Sequence, residues 1–347
     1  MIDFRYHVVS LISVFLALAV GIALGAGPLK ETIGDTLTGQ VEQLRSEKDA
    51  LRSELDTSAS ELADTRSYVD AAGPQLLAGA LTDRRVAVVA LGAVDDAVAS
   101  AVDDRLTQSG ATITAHATLT DAWADPDQRS FRQALVGNLL QFLDPAPDQG
   151  ADLETELASA LVQGLVGADP ASPDALTQDA SYLLEILSTG DNPLVTFADP
   201  ITTAADAVVV IAATPSKSAA DASPTAAPTE DDLEPQLAVL AAAQKDSEGA
   251  VLVDGPRGAG SLTDTILGDD ALAGTLTTVS GSADVTAQVN VPLALAARIA
   301  GTNGHYGFGN DETVLPDPVQ LSPVDRTPVA PTSPDSDSDA GDTKSDG

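Results

Sequence analysis

Three glycine-bearing stretches of this sequence hold the side chains whose types could do chemistry. GTNGHYGFGN (residues 301–310) sets His305 and Tyr306 among four glycines. Backbone without side chains lets a ligand approach closely, and an imidazole there would serve as acid, base or metal ligand. The reading favoured for the same residues is a tight turn that packs the imidazole and phenol after the last helix. VDGPRGAGS (253–261) reads as a strand, a glycine-rich turn and a helix start. Asp254, Arg257, Gly258 and Gly260 could there form a ligand loop that cradles an anion. It has no P-loop lysine and no fingerprint spacing, so a plain flexible turn fits as well. LGAVDD (91–96) lacks G-x-G-x-x-G. Its Asp95 and Asp96 fall at a helix start, where carboxylates partner the helix dipole and would repel a phosphate.

The rest of the chain offers few reactive groups. There is no cysteine, Met1 is the only methionine, and the histidines are His7, His116 and His305. Thiolate nucleophiles, thiolate metal sites and disulfides are therefore excluded. His305 is the single candidate metal ligand, since His116 falls in a predicted strand and His7 at the edge of an apolar run. No Ser-His-Asp set or carboxylate pair stands out among the 52 Asp+Glu, so the sequence does not read as an enzyme. Against those acids stand 17 Lys+Arg, a formal charge of -35. Such a surface repels phosphates, which argues against nucleic acid as a partner.

The elements that must position these stretches alternate between two periods. RRVAVVALG (84–92), ATITAHATL (111–119), AVVVIAA (207–213), AVLVDG (250–255) and LTTVS (276–280) read as short apolar strands. Amphipathic helical segments fall near 94–109, 128–143, 151–167, 177–189, 230–246, 260–269 and 289–300. That alternation predicts an α/β domain over residues 80–321, Rossmann-like with a mostly parallel sheet. The Pro/Ser/Ala-rich 214–230 reads as a mobile insertion, and 322–347 as an acidic, disordered tail.

Ahead of that domain the pattern is heptad. Val41, Lys48, Leu55, Leu62 and Val69 take the a positions, and Leu37, Leu44, Leu51, Ser58 and Thr65 the d positions. The flanks largely sort by sign: Gln40, Glu47, Glu54 and Glu61 take the g positions, and Arg45, Arg52, Ala59 and Arg66 the e positions. In a parallel dimer this pairs Glu47 with Arg52 and Glu61 with Arg66 of the other copy. A chance amphipathic helix has no reason to sort its charges so. Residues 29–73 are therefore expected to form a parallel two-stranded coiled coil, roughly 50 Å long. Lys48 in the core would fix register, and Gly73-Pro74 would end the coil.

Residues 1–28 hold an apolar run, Val8 to Ala26, with no charged side chain. Its length, about 28 Å as a helix, suits a bilayer and exceeds the usual secretory h-region. The small residues Ala23, Gly25 and Ala26 would suit a signal peptidase, but the length favours an uncleaved single-pass anchor in the cell membrane. Arg5 places the N-terminus in the cytoplasm and the bulk of the chain outside it. Gly21 and Gly25 leave open either close helix contact or ordinary small-residue enrichment.

MIDFRYHVVSLISVFLALAVGIALGAG, the coil after it and the late GHYGFG resemble the actinobacterial copper transporter family typified by MctB, over roughly residues 1–320. The resemblance implies a role in copper efflux or homeostasis in the cell envelope, and copper as an associated ion; no other cofactor is expected. The residues themselves lack the soft ligands that Cu(I) selects. They suggest a tethered dimer acting through an envelope protein partner. An alternative is a coiled-coil scaffold or regulator of cell-wall assembly and division.

Overall fold

The computed structural model describes residues 4–26, 28–213, 230–258 and 260–329. The expected insertion at 214–230 falls outside them except for its last residue, as do Gly260's neighbour Ala259 and the tail beyond 329. The chain divides into two compact units, Met1–Ser67 and Tyr68–Gly347.

The first unit is helical. Helix α1 (Phe4–Ala26) carries the apolar run, and its segment Phe4–Gly25 is long and apolar enough to cross a membrane. Its large side chains are exposed, as lipid-facing ones would be. Pro28 opens α2 (Pro28–Leu77), where its missing N–H has no partner to lose. Leu37, Val41, Leu44, Leu51, Leu55 and Leu62 all stand exposed along α2. Isolated, such a stripe leaves its apolar area in water.

The second unit begins within the last turns of α2. The expected end at Gly73-Pro74 lies inside the helix, which continues to Leu77. Gly73 is there for space: a Cβ on it would come within 2.6 Å of the Arg105 guanidinium. Arg105, almost wholly buried, pairs with Asp70 one turn earlier on α2. Leu77 and Leu81 are fully buried, and Gly79, at φ +81°, makes the turn that ends the helix.

The elements that follow are β1 (Arg85–Ala90), α3 (Asp96–Gln108), β2 (Thr112–Leu119), α4 (Arg129–Leu139), α5 (Leu153–Val166), β3 (Ala168–Asp169), β4 (Ser172–Leu176), α6 (Gln178–Ser188), β5 (Val195–Phe197) and β6 (Ala207–Ile211). After the insertion come α7 (Glu230–Asp246), β7 (Ala250–Val253), α8 (Leu262–Gly268), α9 (Asp270–Thr275), β8 (Thr278–Val279), α10 (Val285–Ile299) and β9 (His305–Tyr306). Seven strands form one sheet in the order β5-β2-β1-β6-β7-β8-β9. All neighbours are parallel except the edge pair β2–β5.

Both faces of the sheet are covered at its centre, which is why β1, β6 and β7 are apolar runs, while β2, nearer the edge, alternates. Ala87, Val89, Val208, Val210 and Leu252 face a core built with α5, α6 and α7. Their neighbours Val86, Val88, Val209, Val251 and Val253 face a second core with α3 and α10. Part of the acid excess goes to helix starts. Asp95, Asp152 and Asp269 cap α3, α5 and α9, each accepting from backbone N–H groups of the first turn. Past β9 the chain crosses the domain: Val319 and Leu321 pack on the second core, Arg84 donates to the Ser322 carbonyl, and Arg326 pairs with Asp206 at 2.5 Å. Residues 322–329 of the expected tail thus contact the domain.

Candidate functional site

Because the strands are parallel, the loops after β7, β8 and β9 leave the sheet at one edge, the edge where open α/β sheets bind ligands. The sequence places VDGPRGAGS after β7 and GFGNDE after β9, and the fold brings them together. Gly281 N–H donates to the Gly255 carbonyl and Ser280 N–H to that of Tyr306, at 2.9 Å each, so the loop after β8 ties the other two. A cavity of about 310 Å³ lies among them, lined by Arg257, Ser280, Asp284, Asn290, Phe308 and Glu312 among others.

Asp254 holds the first loop closed. Its carboxylate is buried and accepts from Gly255 N–H at 2.7 Å, the Ser261 hydroxyl at 2.7 Å and Thr263 N–H at 2.9 Å. Arg257 donates from Nε to Asp264 at 2.6 Å, and the same carboxylate receives Gly258 N–H at 2.6 Å. Gly258 and Gly260 carry φ of +154° and +87°, conformations that favour glycine, so the loop needs them for its path. Asp254 and Gly258 are thus occupied within the loop, while Arg257 reaches the cavity wall.

The GHYG turn is built by packing. Tyr306 is buried on β9, and a Cβ on Gly304 would lie 2.5 Å from its hydroxyl. Burial pushes the Tyr306 phenol up, with Asp317 adding to the shift. His305 bridges two elements: Nδ1 lies 2.9 Å from the Thr278 hydroxyl on β8 and Nε2 3.0 Å from the Ala273 carbonyl on α9. A carbonyl only accepts, so Nε2 carries the proton and Nδ1 accepts from Thr278. Both ring nitrogens are used by the protein in this arrangement. Gly307 and Gly309 press against Glu312: a Cβ on Gly309 would stand 2.7 Å from both the Arg257 guanidinium and the Glu312 carboxylate.

Glu312 is the residue that sequence reasoning missed, one acid among 52 with nothing to mark it. Its side chain is 0% exposed. Oε2 accepts Gly309 N–H at 2.7 Å, while Oε1 lacks any hydrogen-bond partner among the described residues. The nearest cation, Arg257 Nη1, stands 4.0 Å from it.

The other candidates lie elsewhere. His116, on β2, pairs with Asp103 of α3 at 3.0 Å, and this hydrogen bond raises its pKa against partial burial. His7 is exposed on α1. Glu47, Lys48, Arg52, Glu61 and Arg66 are exposed on α2, and Val69 is half-buried near its end. No group of three or more His, Cys, Asp or Glu able to hold a metal occurs among the described residues. A larger hollow, about 640 Å³, runs along α5, α7 and α8, but its Asp152 and Asp269 are the helix caps described above.

Comparison with known proteins gives one consistent family. Residues 1–316 match the family described as "Copper transport outer membrane protein, MctB". The chain is 27% identical over 321 residues to "Copper transporter MctB" of Mycobacterium tuberculosis H37Rv, covering 89% of this chain and 97% of that protein. The protein of the same name from Mycobacterium bovis matches equally. That of Mycobacterium leprae is 32% identical over 196 residues, 55% of this chain and 61% of its own. Together with the apolar α1, which suits a single-pass anchor, the match over 1–316 means that the chain belongs to the MctB family of copper transport proteins.

Proposed function

We propose that this chain is an anchored envelope protein that serves copper homeostasis through a protein partner rather than as a catalyst or a copper carrier. The observation that carries this reading is the donor set. Cu(I) selects thiolate, thioether or imidazole. The chain has no cysteine and only the initiator methionine. Its best placed imidazole, His305, already spends both nitrogens on Thr278 and Ala273. Carboxylates abound, but they suit harder cations.

The exposed stripe of Leu37, Val41, Leu44, Leu51, Leu55 and Leu62 on α2 supports self-association as a parallel coiled coil, with the half-buried Val69 closing the seam and Lys48 fixing register. The strand order, reversing at β1, supports a Rossmann-like domain whose strand-end loops face a ligand or partner. α1 holds the chain in the membrane with its N-terminus on the cytoplasmic side. A second reading, a coiled-coil scaffold or regulator of cell-wall assembly and division, is compatible with the same donor set. Cross-linking from α2 in living cells, followed by identification of what is attached, tests the partner. Copper sensitivity of a deletion strain supports the first reading, and defects in shape or separation at normal copper tolerance support the second.

A further inference from the structure

The copper reading leaves the cavity after β7, β8 and β9 without a role, and its chemistry is specific. Glu312 Oε1 is a buried acceptor with no donor among the described residues. Native structures satisfy nearly all such atoms, because a buried acceptor without a partner keeps its full desolvation cost, larger when it is charged. The carboxylate is held there by construction. Gly309 N–H fixes Oε2, and glycines at 307 and 309 let the backbone close on it where any Cβ would collide. Arg257 does not fill the gap: its Nη1 stands 4.0 Å away, beyond hydrogen-bond reach, and its guanidinium is engaged by Asp264.

The surroundings select the sign of what would complete the site. The one guanidinium there, Arg257, is paired with Asp264, which leaves the buried Glu312 carboxylate without a cation at hydrogen-bond distance among the described residues. Phe308, 72% exposed, stands at the rim as an aromatic face. Aromatic faces attract cations. A cavity of about 310 Å³ is at the lower end of small-ligand sites.

We infer that this cavity binds a small organic ligand through a primary ammonium group, with Glu312 Oε1 as the anchor and Phe308 covering the ligand's apolar body. A bare metal ion is disfavoured, since the cavity supplies no cluster of three ligating side chains among the described residues. The inference does not rest on the copper reading and survives its failure.

The test is calorimetric titration of the full-length protein in detergent with cyclohexylammonium and with its neutral counterpart, cyclohexanol. The ammonium should bind at least about tenfold more tightly than the alcohol, the worth of one charge-assisted hydrogen bond. Glu312→Gln should remove that preference. Phe308→Ala, at an exposed position that folding does not need, should weaken ammonium binding several-fold. If Glu312→Gln fails to fold, Glu312→Asp together with Phe308→Ala decides, both being expected to weaken the ammonium. Equal affinity for ammonium and alcohol, absence of ammonium binding, or unchanged affinity in the variants would overturn the inference. So would Cu(II) or Ca(II) binding that depends on Glu312 in a protein indifferent to the ammonium.

Discussion

The Thr278 hydroxyl lies 2.9 Å from His305 Nδ1, and that contact fixes the ring whose other nitrogen reaches Ala273 on α9. One imidazole therefore pins the short strand β9 to both β8 and the helix before it. His305→Ala removes both bonds and leaves the fully buried Thr278 hydroxyl without this partner. Thermal or denaturant unfolding should show a loss of about 2–3 kcal/mol. His305→Gln, able to donate and accept, should recover part of it. An unchanged unfolding midpoint in the alanine variant would mean that the bridge is not structural.

His116 gives the domain a pH response. Asp103 raises its pKa above the ordinary 6.5, chiefly through their hydrogen bond. A histidine with a raised folded pKa adds stability that is fully present below its unfolded value and is lost as pH rises through the folded one. The ring is 41% exposed, so screening limits the effect to no more than about 1 kcal/mol. Wild type should thus exceed Asp103→Asn in stability below roughly pH 6.5, and the gap should close as pH rises above it. A gap that widens with pH would reverse the assignment.

The proposed coil has a mutational signature. Leu44 and Leu51 are 64% and 61% exposed on α2, yet they occupy d positions of the heptad. Replacing both with serine should turn a dimer into a monomer on analytical ultracentrifugation, because the buried apolar contact of the seam is lost. Circular dichroism should still report the α/β domain folded. Wild-type protein that sediments as a monomer removes the parallel coil from the account.

How much of this was legible in the sequence varies with the length of the element. Runs such as RVAVVA and AVLV are apolar without alternation because both faces of their strands are buried, so β1, β6 and β7 announce themselves. β5, three residues between Pro193 and Pro200, and β9, two residues inside a glycine-rich turn, have no room for a periodic signal. Their place in the sheet comes from tertiary pairing with β2 and β8. Gly73-Pro74 has the composition of a helix end, yet the glycine serves the approach of Arg105 and the helix continues. The glycine-rich loops after β7 and β9 were readable as loops at strand ends. Their convergence on Glu312 was not, since a buried carboxylate and a surface one have the same letter.

A chain that serves copper through a partner needs no tight copper site of its own. The direct measurement is a Cu(I) titration of the purified full-length protein against a competing chelator, with Cu(II) in parallel. With His305 held by Thr278 and Ala273, the carboxylates and the scattered remaining histidines predict binding no tighter than about micromolar, with Zn(II) or Ni(II) competing. His305→Ala should leave those curves where they were. A stoichiometric sub-nanomolar Cu(I) site, lost in His305→Ala while the fold stays intact, would contradict the account.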